Sequence, residues 1–162
     1  MASLAVCTAA DVIQRAGGTT AVIQLIPSGL DPSTYDTSLM ATLIGDASEE
    51  WAAYANVQVQ VYAWKLAIDA DPTLSWPGLA VDCVAWWTVP KVWVAGGQGQ
   101  AMPPHIVTER ARIDAICERY RRNEISLGAP PQYPALQPNV QTIDLDPNQN
   151  RMTLAGFQRW IA

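Results

Sequence analysis

Charge is scarce in this chain: Asp, Glu, Lys and Arg make up 15% of 162 residues, against about a quarter in an ordinary globular protein. What charge there is sums to -5. A dedicated nucleic-acid clamp needs clustered cations facing phosphates, and a net-acidic chain with so few argues against it, with local exceptions open only on the 108 to 128 helix. Histidine is nearly absent. His105 stands alone beside Pro103 and Pro104, with no cysteine or carboxylate at ligand spacing, so it completes no metal set. Cysteine is limited to Cys7, Cys83 and Cys117, odd in number and far apart, which fits reduced core thiols and excludes a disulfide framework or a zinc finger. Long hydrophobic runs are missing too. The most apolar stretch, "VAWWTVPKVWVA", is short and broken by Pro90 and Lys91, so no membrane span is expected. "MASLAVCTAADVIQ" carries no basic region before its apolar run and meets Asp11 at once; it does not read as a secretory signal, and a soluble protein made in the cytoplasm is expected.

Catalytic and cofactor signatures are equally lacking. Ser28, Ser33, Ser75 and Ser126 lie in no nucleophile context. Gly96, Gly97 and Gly99 have neither the spacing nor the following Lys-Ser or Lys-Thr of a phosphate loop. "DLDPNQN" imitates alternating calcium ligands, but the required glycine is absent and Ala155 stands where a bidentate glutamate belongs. No enzyme, cofactor or metal is expected. What remains is a chain of 49% hydrophobic residues with seven tryptophans, a composition suited to a protein that hides surface in an assembly.

The length allows one domain with a real core and not two. Thr8 and Asp11 resemble a capping box, Val12, Ile13 and Ala16 give a short apolar face, and Gly17-Gly18 ends that first helix. "PSGLDPSTYD" is a turn-rich connector. Beyond it Leu39, Met40, Leu43, Ile44, Ala47, Trp51, Tyr54 and Ala55 recur at helical steps, with Asp46, Glu49 and Glu50 toward the other side. "VQVQVYAW" is ambiguous. Its valines alternate like a strand, while Val59, Tyr62 and Leu66 continue the helical stripe, and the expectation is a helix end followed by extended chain. From Pro77, Leu79, Val81, Val84, Trp87 and Val92 mark a central helix buried on several sides, which Pro90 should kink or end near Val89.

"TERARIDAICERYRRNEISLG", residues 108 to 128, holds half of the Lys and Arg. Thr108 is the expected cap, Ile113, Ile116 and Tyr120 form a narrow apolar stripe, and Arg110 with Asp114 and Glu118 with Arg122 stand at pairing distance along a helix. Gly128 is the expected release point, where a left-handed backbone ends the helix. Residues 129 to 162 contain Pro130, Pro131, Pro134, Pro138 and Pro147, which discourage both helix and central strand, yet finish "RMTLAGFQRWIA" with Leu154, Phe157 and Ile161 at helical spacing. The expected architecture is therefore mainly α: a helical bundle over residues 1 to 128, with room for one short strand or hairpin, and an extended proline-rich arm over 129 to 162 ending in a hydrophobic anchor.

The order of "LIGDASEEWAAYA", "PGLAVDCVAWWTVPKVW", "ERYRRNEISLG" and "RMTLAGF" resembles the head-tail connector, or adaptor, proteins of tailed bacteriophages, particularly of Mu-like phages. The resemblance implies a ring of about twelve copies beneath the portal of the DNA-filled head. Such a ring extends the DNA channel and offers a docking surface to the stopper or tail-completion protein. It places the protein in the virion neck, touching genomic DNA passively and without sequence preference. The resemblance also implies that Arg151, Leu154, Phe157 and Trp160 grip the portal or a neighbouring subunit, while Leu43, Trp51, Trp87, Ile113, Ile116 and Tyr120 pack the bundle. Trp86, Trp87 and Trp93 stand where that family's helix is more polar. A stopper or head-closure ring is the nearest alternative, and a small cytoplasmic DNA-binding regulator using Arg112, Arg119 and Arg122 is an alternative of another class.

Overall fold

The computed structural model describes residues 4–97 and 102–130. Arg151, Leu154, Phe157 and Trp160, and with them the predicted arm and anchor, lie outside the described residues. Within them the protein is a mainly helical bundle: α1 (Ala9–Arg15), α2 (Thr19–Leu25), α3 (Thr37–Tyr54), α4 (Gln58–Ala70), α5 (Gly78–Ala95) and α6 (Pro104–Arg121). Among the described residues there is no β-strand, and the predicted room for one is taken up only by an isolated bridge between Pro27 and Tyr35.

Helix ends are set by local chemistry. Thr8 caps α1 as predicted: its hydroxyl accepts from the Asp11 amide, and the Asp11 carboxylate accepts from the Thr8 amide. Asp36 caps α3 by accepting from the Ser38 and Leu39 amides. Three helices stop by one device, a residue with left-handed backbone followed by an amide that reaches back to the last turn. After α1 that residue is Gly17, at φ 102, and the Gly18 amide donates to the Ile13 carbonyl. After α3 it is Asn56, at φ 58, with the Val57 amide on the Ala52 carbonyl. After α6 it is Asn123, at φ 56, with the Glu124 amide on the Arg119 carbonyl. Asparagine tolerates this conformation better than other residues with a Cβ.

Several expectations are corrected by these ends. The extended chain predicted after residue 57 is instead helix α4, because Asn56 closes α3 and lets the chain restart: Val57 and Val61 are buried, whereas Val59 faces solvent. Thr108 does not open α6. Pro103 and Pro104 start it a turn earlier, and the Thr108 hydroxyl donates to the Pro104 carbonyl within the helix. Pro90 neither ends nor replaces α5, which runs on to Ala95. Val89 and Val92 on either side of it are fully buried, and such burial offsets the lost hydrogen bond. Nor does Gly128 end α6. Its φ is 73, but the helix has already stopped at Asn123, and the intervening segment packs back on the bundle through buried Leu127 and half-buried Ile125.

The core lies where α3, α5 and α6 meet, with α1 and α2 closing the far side of α5. Trp51, Ile113 and Cys117 are fully buried, Trp87 and Tyr120 nearly so, and Leu43 and Ile116 pack at the margin. Trp51 meets Tyr120 edge to face at 6.1 Å between ring centres. Ser48 and Thr88, the buried polar residues, return their hydroxyl hydrogens to the Ile44 and Val84 carbonyls of their own helices. Ser48 also accepts from the Val6 amide and so fastens the N-terminal segment to α3.

Candidate functional site

Some charged groups of α6, Arg110 and Glu118 among them, reach back onto the bundle, whereas Arg112, Arg119 and Arg121 are exposed. The Arg110 guanidinium carbon sits over the Trp87 ring, 3.4 Å from its centre, while its Nε donates to Asp114. The Trp87 ring leans on Tyr54 at 5.2 Å, and the Tyr54 hydroxyl donates to Glu118, which also holds Arg121 at 2.9 Å. The predicted pair of Arg110 with Asp114 is present. The predicted pair of Glu118 with Arg122 is replaced by Glu118 with Arg121, three residues on rather than four.

Asp82 of α5 is the second junction. Arg15 of α1 donates to its Oδ1 through Nε and Nη2 at 3.2 and 2.9 Å, and Arg112 of α6 donates to its Oδ2 at 2.9 Å while also holding Glu109. Burial alone would raise the Asp82 carboxyl, but the two guanidinium groups hold it below the usual range. Nothing in the sequence singled out Asp82, because its partners are distant in the chain.

An expected result follows from that geometry. Asp82→Asn removes the negative charge and one of the two acceptor oxygens shared by the arginines, leaving two guanidinium groups without a counter-charge between them, which costs about 1–3 kcal/mol by urea unfolding at neutral pH. The carboxyl is depressed in the folded state, so its contribution is complete above its unfolded value of about 3.9 and fades as pH falls through the lower folded value. The gap between wild type and variant therefore closes in acid.

Cys7, Cys83 and Cys117 are free and buried. Burial pushes the first two thiols up to about 12 and the third to about 11, which suppresses the thiolate that would react. Burial likewise pushes the Tyr120 hydroxyl up to about 12, and that hydroxyl has no hydrogen-bond partner among the described residues. His105 is exposed in the first turn of α6. No cluster of three metal-ligating side chains occurs among the described residues, and no described helix is long and apolar enough to cross a membrane.

The feature that stands out on the surface is α4. It leans chiefly on α3, and its outer face shows Val59 at 85% exposure, Tyr62 at 47% and Leu66 at 62%. Their positions i, i+3 and i+7 make one stripe. The Tyr62 hydroxyl donates to Glu49 at 3.1 Å, which places a carboxylate at the stripe's edge. Asp46 and Glu49 are exposed and make no ion pair with a described residue. The same stripe was visible in the sequence as a helical period, but its face was unknown. On the inner side of α4, Gln60 accepts from the Leu127 amide and the Trp64 indole donates to the Gly128 carbonyl, so the described chain ends against this helix.

Compared with family models, with curated proteins and with solved structures, the chain finds no match in any of the three.

Proposed function

We propose that the chain is a structural virion protein, an adaptor that forms a ring on the portal, joins the DNA-filled head to the stopper or tail, and extends the DNA channel. The observation that carries this is the arrangement of the resembling segments. "LIGDASEEWAAYA", "PGLAVDCVAWWTVPKVW" and the start of "ERYRRNEISLG" fall in α3, α5 and α6, the helices that meet around Trp51. An exposed apolar stripe on a charge-poor body supports a protein built to be covered by neighbours.

The DNA-binding regulator is the weaker alternative. Arg112 is held by Asp82 and Glu109, and Arg119 lies 3.5 Å from Glu124, so two of the three cations it needs already face carboxylates. Contact with DNA is accordingly passive, weak and salt-dependent. Imaging of the assembled neck tests the adaptor reading: twelvefold symmetry of this chain on the portal is expected, and a ring of three or six copies overturns it.

A further inference from the structure

We infer that Cys83 of α5 and Cys117 of α6 form a latent dithiol pair, a site at which a small disulfide closes a covalent clasp between the two helices. Both thiols are free in the resting chain. The pair belongs to the core and is independent of the adaptor role.

Register brings the two together. Asp82 of α5 meets Arg112 of α6, and further along α5 Trp87 meets Arg110, so residue numbers rise along one helix as they fall along the other and the helices run antiparallel. Cys83 lies twelve residues before the end of α5 at Ala95, and Cys117 thirteen after the start of α6 at Pro104. At 1.5 Å per residue they stand about 18 and about 20 Å from the connected ends, nearly the same height. Their faces agree. Cys117 and Tyr120 are one turn apart on the buried side of α6, Tyr120 meets Trp51 of α3, and Cys83 is fully buried in the same cluster. Burial raises both thiols, and against it the Trp51 indole hydrogen favours the thiolate of Cys83 and that of Cys117 alike. One indole nitrogen therefore has both sulfurs beside it.

Cys7 is set apart by position. It lies beside Thr88, which is five residues from Cys83 and so about 140° around α5. The odd number of cysteines resolves into one pair and one bystander.

A disulfide needs Cα atoms about 4.4–6.8 Å apart. With helix axes about 8–10 Å apart and a Cα radius of about 2.3 Å, residues facing each other across two packed helices come within that range. Burial suppresses exchange while the helices are closed, so the link forms as α6 settles onto α5 or lifts from it. One cysteine thiolate attacks a sulfur of the small disulfide and expels a thiolate, which takes up the proton the cysteine gave up. The other cysteine attacks the protein-side sulfur of the mixed disulfide and expels the second in the same way. Two protein thiols are oxidised to one disulfide, and one small disulfide is reduced to two thiols.

The test refolds the full-length wild-type chain from urea in a mixture of oxidised and reduced glutathione, quenches it in acid and maps its peptides by mass spectrometry. The expected product is a helical chain in which the Cys83–Cys117 link exceeds Cys7–Cys83 and Cys7–Cys117 by roughly tenfold or more, because the fold holds one thiol at the other. Closing the loop between residues 83 and 117 should raise the melting temperature by about 10 °C over the reduced chain, and dithiothreitol should abolish the rise. Comparable amounts of the three pairings overturn the inference, as does a folded chain that keeps all three thiols or carries only glutathione adducts. A Cys83–Cys117 product that has lost its helical circular dichroism, or that melts no higher than the reduced chain, overturns it as well, since the link would then not fit the fold.

Discussion

Trp51→Ala is expected to lower stability by about 3–5 kcal/mol, the range for emptying a large aromatic site in a core that relaxes only in part. Trp51 is fully buried on α3 and meets Tyr120 of α6 edge to face, at the convergence of the helices that carry the proposed family resemblance. Natural domains hold about 5–15 kcal/mol in all, so the loss takes a fifth or more of the total. In a chain of this size it lowers the melting temperature by about 10 °C. Tyr120→Phe is the informative contrast. It keeps the ring and removes a buried hydroxyl that has no partner among the described residues, so it should stay within about 1 kcal/mol of wild type. Thermal and urea unfolding of the two variants side by side checks both statements, and equal losses would mean that the hydroxyl holds a partner the geometry does not show.

Deleting residues 146–162 is expected to leave a soluble, helical protein that no longer joins portal-bearing heads. The described core runs from Leu4 to Leu127, all of it outside the deleted segment. Leu154, Phe157 and Trp160 would each contribute about 1.5–3 kcal/mol when covered, and copies acting together on a ring multiply a modest contact. The shortened chain should therefore fall by more than about a hundredfold in attachment, read by co-sedimentation with heads. Aggregation or unfolding of the shortened protein would assign the segment to the fold instead. Attachment equal to that of the full chain would remove its role as an anchor.

Periodicity alone was enough to place α3, α5 and the body of α6, because each buries a stripe whose spacing can be read along the chain. Helix ends were harder. Thr8 announced itself through a partner three residues away, but Asn56 and Asn123 end their helices by a backbone conformation that an asparagine merely permits, and the alternating valines after Asn56 then imitated a strand. Pro90 was misleading because a local cost was weighed without the burial of Val89 and Val92, which only the tertiary fold supplies. Thr108 had the chemistry of a cap but lost the position to Pro103 and Pro104. In the candidate surface, Val59, Tyr62 and Leu66 were readable as a period, whereas their exposure depends on which side of α4 faces α3. Asp82, joining residues from α1 and α6, left no local signal at all.

Helix α5 has a mechanical consequence. It packs against α1, α2, α3 and α6, while α4 leans chiefly on α3. Against Leu25 the approach is so close that a side-chain carbon at Gly96 would come within 2.9 Å of the Leu25 carbonyl oxygen. A pull on α1, α2, α3 or α6 is thus passed to one axle and shared by the others, so that part of the molecule resists as a block. Helix α4 has no such backing. Under load the bundle should yield first there, like a hinged flap on a rigid frame.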